Sequence, residues 1–203
     1  MGNCRPYRNT NPGWPSNWST MCGSWPARTL RFVAFAKEEP AWFWQPEMGS
    51  LVYAQECRAR LDPILAMLSL ESVGFYTDSP GSQRYPARLG FLYPPMGNFV
   101  AFVGNVGSRR LVHRSLTAFP RARVLPTIGA AVPNAIPGAG WSDHWSFWQQ
   151  GYAGIEITDM APYRNPYYHS PGDTPDRLDY PRMARFAAGM EQVVAELANN
   201  GVN

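Results

Sequence analysis

The chain has 203 residues, 45% of them hydrophobic and 16% charged, with a formal net charge of +3. That balance describes a globular chain long enough to bury a core, and it excludes a disordered one. The positive charge is almost wholly arginine, with Lys37 the only lysine, and it forms no concentrated basic face, so nucleic acid is not an expected partner. No apolar run reaches membrane-spanning length, and no basic start followed by an apolar signal core opens the chain; neither a membrane nor a signal peptide is expected, and the compartment stays open. Cys4, Cys22 and Cys57 are an odd set without metal-type spacing and read as isolated thiols.

Residues 1–28 differ from the rest. Trp14, Trp18 and Trp25 stand among Asn, Pro, Ser and Gly with neither strand nor helix period, which predicts a poorly ordered extension ahead of a patterned domain over 29–203. That domain opens with Arg31 to Pro40, an apolar, β-branched and aromatic run predicted as a buried strand ending in Glu38 and Glu39. Pro40 keeps the preceding residue out of a helix. Glu47 to Arg60 has helical spacing, and Leu61-Asp62-Pro63 breaks it. Ile64 to Leu70 predicts a second strand, followed at once by Glu71. Strand, helix and strand of this size imply a parallel crossover that sets Glu71 on the same sheet edge as Glu38 and Glu39, the edge where open α/β sheets bind ligands.

Thr77 to Pro95 reads as a long loop, Asn98 to Gly104 as a strand and Ser108 to Phe119 as a helix. On that helix Arg109, Arg110, His113 and Arg114 form a solvated face. Pro120 to Gly140 returns to loop chemistry. Trp141 to Trp148 predicts a short helix capped by Ser142 or Asp143, and Tyr152 to Asp159 a further strand with Gly154-Ile155-Glu156-Ile157-Thr158 at its centre. His169 follows in a loop able to reach the same edge. The last element is an amphipathic helix from about Pro181, with Met183, Phe186, Met190, Val193 and Leu197 inward, Asp179 as its cap and Asn199-Asn200-Gly201 as its stop.

Glu38, Glu39, Glu71 and His169 together suit a catalytic zinc, which takes carboxylate and imidazole ligands and lowers its water's pKa to about 7. Singly they carry less: a Glu-Glu pair is ordinarily a solvated loop and a lone His is ordinarily structural. Four segments of the chain resemble the co-catalytic zinc aminopeptidases, related to bacterial leucyl aminopeptidase and the glutaminyl cyclases. They are Arg31 to Pro40, Met48 to Ala54, Met67 to Tyr76, and Trp141-Ser142-Asp143-His144 through Tyr168-His169-Ser170-Pro171-Gly172-Asp173-Thr174.

The resemblance implies a three-layer α/β/α fold around a mixed, mostly parallel sheet. It also implies Glu38 as general base, Glu39 and His169 as ligands of one zinc, Glu71 as ligand of a second, and Tyr168 as a donor to the oxyanion. Asp143, His144 and Asp173 match positions that support the site or face the substrate. The family's His-x-Asp and Asp-Asn segments, which supply a histidine and the bridging aspartate, have no counterpart here: the first histidine is His113 and the first aspartate Asp62.

A partial catalytic domain is therefore expected, short of its first strands, with the opening segment read as a mis-started or out-of-frame extension. The family holds two zinc ions; one or none is expected here. The exposed sheet edge predicts self-association. The expected activity is hydrolysis of a peptide's N-terminal residue, impaired by the missing ligands. A glutaminyl-cyclase-like acyl transfer and a non-catalytic binding remnant are the alternatives.

Overall fold

The computed structural model describes residues 26–86, 89–120 and 125–202, so most of the predicted N-terminal extension lies outside the described residues. The elements are α1 Gly49–Ala59, β1 Met67–Glu71, β2 Val100–Asn105, α2 Arg109–Ala118, β3 Thr127–Val132, α3 His144–Gln149, β4 Gly154–Thr158, α4 Ala161–Arg164 and α5 Tyr180–Asn200. Three-residue 3-10 turns occur at Leu89–Phe91, Val106–Ser108 and Pro175–Arg177. The four strands form one sheet in the order β1-β4-β2-β3. β1 runs parallel to β4 and β2 parallel to β3, while β2 and β4 are antiparallel. This is the mixed, mostly parallel sheet expected from the sequence.

Register divides the sheet into two faces, because side chains alternate along each strand. Leu68, Ile155, Ile157, Val100 and Phe102 point toward α2 and α5, where Leu111, Val112, Phe119, Phe186, Met190, Val193 and Leu197 complete the core. At Gly129 on this face a Cβ would lie 2.1 Å from Leu116 Cδ1 and 3.3 Å from Val112 Cγ1, so α2 side chains pack closely on the β3 backbone and Leu116 would have to shift. Truncating Phe102 or Phe186 to alanine should cost about 3–5 kcal/mol, the usual range for a buried phenylalanine. On the opposite face α3 packs against β1 and β4, and α1 packs on α3. Helices on both sides of the sheet give the three layers.

The final helix follows its predicted signals. Asp179 Oδ1 accepts the Arg182 N–H at 2.9 Å, and Gly201 ends the helix with φ 79. Ahead of α1, Ala27 N–H donates to Asn199 Oδ1 at 3.0 Å and the Arg28 guanidinium to Ala198 O at 2.9 Å, tying the start of the described chain to the end of α5.

Three expectations need correction. Arg31 to Pro40 joins no ladder among the described residues, and Phe32 is 61% exposed. Strand propensity is realised only against neighbouring strands and a buried face. Here the segment lies instead along α1: Arg31 pairs with Asp62 at 3.0 Å, Ala36 O accepts the Gly49 N–H at 2.9 Å, and the Phe35 ring meets Tyr53 and Phe147. The parallel crossover from Glu38 to Glu71 is therefore not formed, and β1 pairs with β4. Second, Thr127–Val132 is a strand inside the stretch read as loop. Pro126 and Pro133 bracket it without removing an internal amide, which an edge strand tolerates. Third, neither Ser142 nor Asp143 caps α3 through its side chain. Ser142 Oγ is engaged by Ser69 Oγ at 2.8 Å and donates to Glu71 Oε2 at 3.2 Å.

Candidate active site

The face opposite the main core carries Ser69 and Glu71 from β1, Glu156 and Thr158 from β4, Ala101 and Val103 from β2, and Ile128, Ala130 and Val132 from β3, all in register. α3 covers only part of it. The remainder floors an open cleft whose walls come from Tyr85, Tyr93, Ile136, Pro137, Met160, Tyr163 and Tyr168. Such a cleft, apolar with a few convergent polar groups, has the form of a ligand site. Glu71, Glu156 and Tyr168 are its principal polar groups.

Loops bring the remaining acids to its rim. Lys37 (φ 61) turns the chain just before Glu38, Ser72 (φ 48) just after Glu71, and His169 itself has φ 55. Left-handed backbone at non-glycine residues costs roughly 1–3 kcal/mol each and concentrates where side-chain placement matters. His169 Nε2 lies 3.3 Å from Glu39 Oε2, and the Tyr168 ring stacks on the His169 ring with centroids 4.0 Å apart. Ser72 Oγ donates to Glu71 Oε1 at 2.9 Å.

Electrostatics shows how closely the acids gather. Burial, reinforced by Glu71, Asp143 and Glu39, pushes the Glu38 carboxyl up to about 7. Burial likewise raises Asp143, with Glu71 adding to it. Glu156 is raised well above the carboxylate range by burial, then by Glu71, Glu38 and Asp159. The Tyr168 phenol is pushed up to about 12 by burial and the same carboxylates, so it remains a hydrogen-bond donor at neutral pH.

The remaining predicted residues sit further off. His144 is fully buried, with Nε2 2.8 Å from Ala139 O and its ring against Trp148, and burial lowers its pKa to about 4. Asp173 accepts from Asn165 Nδ2 at 3.0 Å. Two acids carry weight that the sequence reading did not give them. Glu156 interrupts an otherwise apolar strand, and that interruption was the available signal. Asp159 Oδ2 accepts the Gly74 and Phe75 N–H groups at 2.9 and 2.7 Å and so fixes the chain beyond Glu71.

Among the described residues, no three His, Cys, Asp or Glu side chains come close enough to hold a metal ion. Glu39 and His169 make two potential ligands, one short of what a catalytic zinc takes from protein. Outside the described residues the only side chains of these types are Cys4 and Cys22. As arranged, the donor set does not fit a complete zinc site.

The sequence model for Peptidase family M28 matches residues 20–194. The uncharacterized protein YfbL of Escherichia coli (strain K12) is 40% identical over 166 residues, covering 81% of this chain and 50% of that protein. The chain thus spans half the length of the curated relative it matches. Among solved structures, LapA aminopeptidase of Legionella pneumophila superposes with a TM-score of 0.52 at 16% identity, over 75% of this chain and 36% of that one. The zinc aminopeptidase BSAP of Bacillus subtilis gives 0.51 at 18% identity, over 74% and 32%. The aminopeptidase of Aneurinibacillus sp. strain AM-1 gives 0.50 at 22%, over 74% and 30%. These likenesses establish the aminopeptidase-like fold, and the family match extends over most of the sequence: the chain belongs to Peptidase family M28.

Proposed function

We propose that the chain is a peptidase of the exopeptidase kind, removing the N-terminal residue of a peptide, with a zinc site left incomplete and turnover reduced accordingly. The observation that carries this reading is the placement of Glu38, partly buried beside Glu71, Asp143 and Glu39, where burial first and then those carboxylates push its carboxyl up to about 7. A base poised near neutral pH is what water-mediated hydrolysis needs. In its ionised form Glu38 takes a proton from a water as that water's oxygen bonds to the scissile carbonyl carbon. It then gives the proton to the leaving amine as the C–N bond breaks. Tyr168, protonated throughout, donates to the oxyanion that forms between these events. Glu39 and His169 are the residues that would contact a zinc ion; with only two ligands in contact, no step is assigned to the metal. Family membership and the zinc aminopeptidases that share the fold support the reading.

Titrating the purified chain with zinc, followed by calorimetry and by hydrolysis of a leucyl peptide, tests it. At most one weakly held ion and slow release of leucine are expected. Two tightly held ions with brisk turnover would show that the site is complete after all. Zinc-free, inert protein would make the chain a binding module, and ring closure of a glutaminyl peptide would place it with the acyl transferases.

A further inference from the structure

We propose that the cleft is a subsite for a side chain ending in a cation and that Glu156 selects it, so that the preferred peptides begin with lysine or arginine. The proposal rests on the exopeptidase reading above and names its substrate class. Glu156 lies on β4, flanked by β1 and β2, and is only 7% exposed; what exposure it has opens into the cleft. Around it the cleft is apolar: Val103, Ile128, Ala130, Met160 and Tyr163 make floor and wall. Buried carboxyls are ordinarily paired or hydrogen-bonded. Among the described residues the Glu156 carboxyl has neither an ion pair nor a hydrogen bond.

The chain offers it no cation. The charged groups that act on Glu156 are Glu71, Glu38 and Asp159, all acids. Arg164, the cation that faces Asp159, is committed elsewhere, donating to Gln83 Oε1 at 2.7 Å and Phe75 O at 3.3 Å. An anionic ligand would be repelled, and an apolar one would leave the buried carboxyl unpaired. A lysyl or arginyl side chain answers both conditions. Its methylene stem covers the apolar wall while its cationic end, set beside the carboxyl, favours release of the proton that burial otherwise holds there. Selection by a group that must be paired discriminates more sharply than an apolar pocket can between similar side chains.

L-lysinamide and L-norleucinamide share one carbon skeleton and differ by the terminal ammonium, so their affinities isolate the contact. Calorimetric titration of each into the chain should give at least tenfold tighter binding of lysinamide. Glu156→Gln should bring the two affinities within about twofold, with the thermal melt retained. Glu156→Met, of similar length, serves with the same expected ratio where the amide is not tolerated. Equal or tighter binding of norleucinamide, a ratio unchanged in the variants, or no saturable binding of either ligand would overturn the proposal. Because the readout is binding, absent hydrolysis would count against the exopeptidase reading alone.

Discussion

His169 Nε2 and Glu39 Oε2 meet at 3.3 Å although neither residue belongs to a strand or helix. The contact ties the segment before α1 to the loop after α4, and the left-handed backbone at Lys37 and His169 aims both side chains at the rim. Both groups are substantially exposed, so the pair adds little to stability, about 0–1 kcal/mol. Glu39→Gln should leave the urea midpoint nearly unchanged and abolish whatever zinc response the melting temperature shows. A large loss of stability with zinc response intact would make the contact structural.

Glu38→Gln separates base from ligand. Removing a positioned acid-base group should lower turnover by about a hundredfold or more. Metal content per folded chain should stay the same. Where the native chain is active, kcat/KM should rise through pH 7 as Glu38 ionises. The variant should lose that limb of the profile, and a variant that keeps it would remove Glu38 from the role.

How much of this was legible in the sequence can be judged from particular residues. Periodicity found α1, α2 and α5, each with one buried stripe, and apolar runs found β1, β2 and β4, of which β2 and β4 are central strands buried on both faces. It misplaced Arg31 to Pro40, since an apolar run states a preference for burial without stating whether a neighbouring strand exists. It passed over β3, where small residues between two prolines look like loop until the edge position is known. His169 and Glu39 do meet, but not through the strand-helix-strand crossover that would have set the glutamates on one sheet edge. Glu156 was visible as a charge in an apolar strand, yet only register shows that it faces the cleft.

Gly49 links helix packing to the site. A Cβ there would lie 2.6 Å from Ala36 O, the same oxygen that accepts the Gly49 N–H, so Gly49→Ala must push that backbone away. Gly49 is the first residue of α1, outside the helix interior where alanine is worth roughly 1 kcal/mol over glycine, so helix preference offsets only part of the clash. The segment carrying Glu38 and Glu39 cannot recover its position so easily. Activity should fall by about tenfold to a hundredfold, as small misplacements of catalytic groups do, with a proportionally smaller loss in the urea midpoint. Equal losses in both would point to general unfolding.

Among the described residues β1 pairs only with β4, and Leu70 on its outer part is 56% exposed. An apolar edge of this kind invites a second copy. Sedimentation velocity should show concentration-dependent association that Leu70→Lys reduces. A monomer at every concentration would reject the edge as an interface.

Asp159 sets the pH dependence of stability. Its side chain is fully buried; Oδ2 takes two backbone amides, while Oδ1 is buried without a hydrogen-bond partner. Burial raises its pKa from 3.8 to about 7 despite those amides. Between about pH 4 and 7 the folded chain therefore keeps a proton that the unfolded chain has released. The contribution of this group to stability should fall as pH rises through that window, by up to about 1.4 kcal/mol per unit, and level off above pH 7. Glu38 and Glu156, also raised, act with the same sign. Asp62 and Asp78, lowered by their arginine partners, act oppositely and complete their contribution at the acid end; buried His144, lowered from 6.5 to about 4, also acts oppositely between about pH 4 and 6.5, so the difference between native chain and variant is what isolates Asp159. In Asp159→Asn the amide oxygen can still accept from Gly74 and Phe75, and the proton is no longer exchangeable with pH. Urea unfolding at a series of pH values should show a shallower slope in this variant than in the native chain. A slope that Asp159→Asn leaves intact would mean that Asp159 is ionised in the fold.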